Sequence, residues 1–200
     1  MFGYFNRHHS KYRLTGPRVY IRPPNVWDRK QWVALRAESK DFLVPWEPYW
    51  PADATTKSAF KRRLKQQRRD WQLGRNYGFY IFDNQTNQLL GGITMGNVRY
   101  GVVQGANIGY WIGAPYVRQG YMAETIQLIL EFAFQHLNLH RIEAACLAHN
   151  EASRKLLIKS GFQEEGVARE YLCINSRWQD HVTYSILPTD PRPSFPVRLG

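Results

Sequence analysis

Cysteine is scarce: Cys146 and Cys173 are the only two in 200 residues. Two thiols cannot build a disulfide framework, and no Cys-x-x-Cys spacing is present for zinc, so a reducing compartment is expected. Both lie in strand-like patterns and read as packed side chains, because neither has a base paired with it. The histidines include no His-Glu-x-x-His motif, and neither a structural nor a catalytic metal is expected. Long apolar runs are missing too. No stretch approaches the roughly 20 residues that span a bilayer, and residues 1–14 are polar and basic with no apolar signal core, so the expected address is cytoplasmic, without a membrane partner. Acidic residues are also in short supply. Lys plus Arg number 27 against 16 Asp plus Glu, a net charge of +11, which favours acidic partners such as coenzyme phosphates, RNA or anionic surfaces.

What is present fits one α/β domain over residues 15–187, with a basic lead at 1–14 and a proline-rich, loosely held tail at 188–200. Alternation predicts a short strand at 18–22, ended by Pro23 and Pro24, and a helix over 28–38. Residues 42–51 interleave aromatic rings with prolines and read as a stiff irregular loop. A helix follows, capped by Thr55 or Thr56 and running to about residue 73. Phe60, Leu64 and Trp71 form its apolar stripe, and its other faces are basic. Strands are expected at 77–83 and 89–100, the second weakened by Gly91, Gly92 and Gly96, and then at 106–112. The break at 113–120 opens into an amphipathic helix carrying Met122, Ile126, Ile129, Leu130, Ala133, Phe134 and Leu137. A strand over 140–148, a short helix over 150–159 ended by Gly161, and a hairpin over 162–187 complete a mixed sheet flanked by helices.

The segment Tyr110-Trp-Ile-Gly-Ala-Pro-Tyr-Val-Arg-Gln-Gly-Tyr-Met-Ala-Glu124 carries the chemistry. A strand runs through a turn straight into a helix, whose first turn leaves backbone N–H groups unbonded under a partial positive charge. Such a junction suits a pyrophosphate. Gly120 lets backbone approach phosphate closely and Arg118 adds charge; equally, Gly120 serves as an ordinary turn glycine.

A second segment, His149-Asn-Glu-Ala-Ser-Arg-Lys-Leu-Leu-Ile-Lys-Ser-Gly-Phe162, precedes Glu164-Glu-Gly-Val-Ala-Arg-Glu-Tyr171. With the first, these segments resemble the GNAT acetyltransferases. Trp178-Gln-Asp-His-Val182 and the Phe-Leu-x-Pro-Trp run ending at Trp46 are most similar to the ribosomal-protein-alanine N-acetyltransferases of the RimJ and RimL type, RimJ above all. The resemblance implies a sheet, largely antiparallel, that splays near Tyr110, Trp111 and Ile112 to admit the pantetheine arm of acetyl-CoA. It places the pyrophosphate on the amides of Arg118, Gln119, Gly120, Tyr121 and Met122, with Asn150 on the pantetheine. Val117 and Met122 depart from the family pattern at its first and last positions, which removes side-chain help but spares backbone contacts.

By the same resemblance Glu170 is the general base and Ser153 the acid that protonates the departing sulfur. Read from the residues alone, Glu170 is also an ordinary surface carboxylate, Ser153 a first-turn capping serine and Tyr171 a packing ring. Trp46, Tyr49 and Trp50 either wall a peptide slot, with Tyr171 also assigned to substrate binding, or form a satellite cluster under the loop. The basic run 61–69 either touches ribosomal RNA or is a solvated face. The implied reaction is direct acetyl transfer in a ternary complex to an N-terminal alanine of a small-subunit ribosomal protein. The rivals are a GNAT acting on a small-molecule or antibiotic amine, and a ribosome assembly factor with secondary activity.

Overall fold

A computed structural model describes residues 12–200; most of the basic lead lies outside them. One open nine-stranded sheet organises the chain, in the order β7-β8-β6-β5-β4-β3-β2-β1-β9. The strands are β1 (Leu14–Thr15), β2 (Val19–Arg22), β3 (Tyr77–Asp83), β4 (Leu89–Arg99), β5 (Gly105–Ile112), β6 (Arg141–Leu147), β7 (Gln163–Ile174), β8 (Arg177–Ile186) and β9 (Arg198–Leu199). Every neighbouring pair is antiparallel except β5 and β6. This is the mixed, largely antiparallel α/β architecture expected.

The helices are α1 (Arg29–Glu38), α2 (Lys40–Leu43), α3 (Lys57–Gln72), α4 (Tyr121–Glu131) and α5 (Glu151–Lys159). On one face of the sheet α4 and α5 pack Ile126, Ile129, Leu130 and Leu157 against Ile93, Ile108, Ile142, Val182 and Tyr184. On the other, α1 and α3 bring Trp32, Leu35, Phe60 and Leu64 onto Tyr80, Phe82 and Leu89, with Trp111 at the margin. Strand β3 is buried on both sides, which is why its run Tyr-Gly-Phe-Tyr-Ile-Phe is apolar throughout.

Local chemistry starts the helices. Asn25 and Asp28 cap each other's backbone in a reciprocal box, and Asp28 also holds Arg22 at 2.5 Å. Thr56 caps α3 by accepting from Ala59 N–H at 3.2 Å. Four expectations need correction. Residues 42–51 are not wholly irregular, because α2 and a 3-10 turn, Val44–Trp46, fold part of them. The proline-rich tail is pinned at its end by β9 pairing with β1. Gly91 and Gly92 do more than interrupt β4; they permit close approach, since a Cβ on Gly92 would sit 2.6 Å from the Trp111 indole nitrogen. Finally, α4 continues as a π turn, Phe132–His136, whose Phe132 ring packs edge-on against Tyr77 and Phe79. His136 and His140 have a four-residue spacing, but Asn138 turns left-handed between them and breaks any shared helical face.

Glu124 ties the first strands to α4. Buried to 7% exposure, it accepts from the backbone N–H of Arg18 at 2.7 Å and of Val19 at 3.0 Å, and from the Arg18 guanidinium at 3.2 Å. Glu124→Ala leaves two backbone donors unpaired, so an unfolding free energy lower by about 2–4 kcal/mol is expected from a urea titration. The Arg18 ion pair adds little, because its side chain is half exposed.

Candidate active site

The parallel pairing of β5 with β6 runs from Gly105 opposite Arg141 to Ile108 opposite Ala144 and then stops. Beyond it the strands follow different partners: β5 stays with β4 as far as Ile112, while β6 stays with β8 as far as Leu147. A wedge opens between residues 109–112 and 145–147. The Gly113 N–H donates to the Leu90 carbonyl of β4, so strand alternation turns the Tyr110 and Ile112 N–H and C=O groups the other way, into the wedge. Those groups offer a ladder to an extended, amide-bearing chain such as pantetheine.

On the α4–α5 face of the wedge, the Tyr110 and Ser153 hydroxyls lie 2.6 Å apart. Burial pushes the Tyr110 phenol well above its ordinary range, against the opposing effect of the Ser153 hydrogen bond. Burial likewise raises the Cys146 thiol, which also meets Ser153; Cys146 is a packed thiol here, as expected, whereas Cys173 is exposed. Asn150 caps α5, its side-chain oxygen accepting from Ser153 N–H at 3.1 Å. That leaves the Asn150 amide hydrogens available as donors, and frees the Ser153 hydroxyl from capping. Asn150→Ala is expected to cost about 1 kcal/mol, read as a lowered Tm, together with weaker coenzyme binding; Asn150→Asp keeps the cap and loses the donor, which separates the two effects.

At the wedge mouth, the turn from Gly113 to Gly120 delivers α4 head-on. Gly120 is its left-handed N-cap at φ 81°, with Arg118 also at positive φ. The amides from Arg118 to Met122 thus begin a helix with no side-chain cap. The Met122 side chain is buried in the core, so only its backbone is available. Arg18, which the sequence did not single out, donates to the Gln119 carbonyl at 3.0 Å; it would lie 3.1 Å from a Cβ placed on Gly120. It adds charge at the end that would meet phosphate.

The opposite face of the wedge is open. A Cβ on Gly109 would meet nothing within 4 Å. On the same face of the sheet, a hollow of about 450 Å³ is lined by Asn107, Glu143, Arg99 and Tyr171 among others. Trp46 stands against His149 with ring centres 5.5 Å apart. Trp50 bonds Glu47 at 2.8 Å and stacks under Arg36 at 3.9 Å, and Arg36 grips Glu47 through both nitrogens at 2.7 and 2.6 Å. The Glu47 carbonyl accepts from Asn175 N–H at 3.0 Å, joining this loop to the β7–β8 hairpin. Tyr49 does not join the cluster and is 65% exposed. Glu170 and Tyr171 lie where the β7 register shifts between Ala168 and Leu172; Glu170 is exposed at φ 45°, and its N–H donates to Asp180 at 2.8 Å. Among the described residues no group of three or more metal-ligating side chains forms, and no helix is long and apolar enough to cross a membrane.

A wedge in one parallel pair, a helix N-terminus at its mouth and an open opposite face define an acyl-coenzyme A transferase. Residues 18–163 match the acetyltransferase (GNAT) domain family, and the chain belongs to that family. It is an acetyl-CoA-dependent N-acetyltransferase of the RimJ/RimL type. The chain is 32% identical to the [ribosomal protein uS5]-alanine N-acetyltransferase of Escherichia coli across 96% of its own length and 99% of the relative's. It is also 32% identical to the probable N-acetyltransferase YjcK of Bacillus subtilis across 88% and 98%. Among solved structures, Mycobacterium smegmatis RimJ in complex with CoA-disulfide superposes with a TM-score of 0.82 at 29% identity, covering 88% of this chain and 87% of that one.

Proposed function

We propose that this enzyme acetylates the α-amino group of an N-terminal alanine on a small-subunit ribosomal protein. The observation that carries the reading is the end-to-end similarity to the uS5-alanine N-acetyltransferase. The structure is compatible with it, since the space over Gly109 is open on the face away from α4.

Acetyl-CoA supplies the activated acyl group, and this chain's residues hold and orient it. Tyr110 and Ile112 receive the pantetheine through their backbone groups, with Trp111 between them facing the α1 side. Asn150 donates to the pantetheine, and the amides of Arg118, Gln119, Gly120, Tyr121 and Met122 take the pyrophosphate. The acceptor enters from the opposite face, between the Trp46 side and Tyr171, with Tyr49 at the outer rim. Its neutral nitrogen attacks the thioester carbonyl: the N–C bond forms, the C–S bond breaks, the nitrogen loses a proton and the thiolate gains one. An α-amino group titrates at about 7.7–8.0, so a useful neutral fraction exists near neutrality. Ser153, held by Tyr110, gives a proton to the sulfur and regains one from solvent, and Glu170 at the exposed rim takes the amine's proton toward solvent. The exposed cations of residues 61–69 draw the enzyme toward ribosomal RNA and the acidic surface around its substrate.

A peptide panel tests the reading. An alanine-initiated peptide from a small-subunit ribosomal protein turns over, and the same peptide with a blocked N-terminus and a free lysine does not. Turnover of polyamines or aminoglycosides with inert peptides would assign a small-molecule acceptor instead.

A further inference from the structure

His181 is a buried imidazole that the reaction scheme has not used. It is 2% exposed and lies in β8 opposite Leu147, the last residue of β6 beside the wedge. Its neighbours Val182 and Tyr184 pack into the core with α4, so alternation turns His181 to the opposite face, the one open over Gly109. Its Nδ1 lies 2.8 Å from the Gln179 carbonyl. A carbonyl only accepts, so Nδ1 carries the hydrogen and a neutral ring presents a lone pair at Nε2. Among the described residues Nε2 has no hydrogen-bond partner. It is also absent from the polar atoms that are both unpartnered and sealed from solvent, so it reaches accessible space.

The groups around the ring leave that lone pair free. From β7, Tyr171 packs edge-on at 5.9 Å and itself lines the 450 Å³ hollow. Across the ladder, Leu147 on β6 and Ala168 on β7 are apolar. The adjacent Asp180 carboxylate is occupied by the Glu170 N–H. A base oriented through one nitrogen, with the other unpartnered on the face proposed for the acceptor, is the arrangement general-base catalysis requires. We infer that His181 Nε2 accepts the proton of the incoming amine, with Glu170 as the outer station toward solvent. This rests on the reading above that the acceptor is an amine entering from this face. The balance is simple: one proton moves from nitrogen to imidazole as the N–C bond forms, and departs to solvent after the thiol has been released.

The test compares the wild-type enzyme with His181→Asn, in which the amide nitrogen can replace Nδ1 against Gln179 but no base remains at Nε2. With acetyl-CoA and an alanine-initiated peptide, kcat/KM at pH 7 is expected to fall about 100-fold. Coenzyme affinity should be unchanged. Imidazole added to His181→Ala should restore turnover. Absence of imidazole rescue, or undiminished activity in His181→Asn, would overturn the assignment. If His181→Asn binds coenzyme poorly, the imidazole experiment decides alone. Wild-type enzyme inert on the peptide counts against the proposed acceptor, whereas active wild type with unaffected variants counts against His181.

Discussion

Gly109→Val leaves coenzyme binding near wild type and lowers kcat/KM for the acceptor peptide by about 100-fold. The residue sits one step past the last β5–β6 pair, at the apex of the wedge. Its missing side chain opens onto the face proposed for the acceptor, with no atom within 4 Å of a Cβ placed there. Valine suits a strand and its Cβ has open space, so Tm is expected to hold. The added methyls occupy the volume through which the amine must reach the thioester. Displacing a reacting group by about 1 Å is enough to cost roughly 100-fold. Coenzyme affinity by calorimetry and peptide kinetics, measured side by side, check this. Equal losses in both would place Gly109 in the coenzyme path instead.

Tyr110→Phe has the second large effect, and it falls on kcat. The Tyr110 and Ser153 hydroxyls are 2.6 Å apart, and burial keeps the phenol protonated. That hydrogen-bonded pair can hand a proton to a thiolate leaving beside it. Removing the phenolic oxygen leaves Ser153 without its partner and is expected to lower kcat by about 100-fold, with a stability cost of about 1 kcal/mol. Ser153→Ala should act similarly. The double substitution should be far from additive, because the two hydroxyls act as one unit. Single-turnover measurement isolates the chemical step; full additivity would show the two groups acting separately.

Local patterns carried much of this site. The apolar spacing of α4, the glycine before it and the asparagine that opens α5 are short-range signals, and the structure puts each at the wedge or its mouth. What the linear pattern does not contain is the pairing that makes them a site. The wedge exists because the β5–β6 pairing stops at Ile108 while β5 keeps to β4 and β6 to β8, a property of the sheet and not of either strand. Arg18 reaches Gln119 across the fold and carries no local mark of that role. His181 stands in a motif that served only to identify relatives, and its proposed role depends on which face β8 presents. The π turn at Phe132 and the docking of β9 on β1 likewise depend on tertiary packing, which overrides local propensity. Tyr49, close to Trp46 in sequence, is 65% exposed, which the sequence alone does not reveal.

Incubation of purified small-subunit ribosomal proteins with this enzyme and acetyl-CoA, read by intact mass and N-terminal mapping, tests the central claim most directly. One acetyl group on one alanine N-terminus is the predicted result. No acetylated N-terminus on any of them, by enzyme that binds coenzyme, would contradict it.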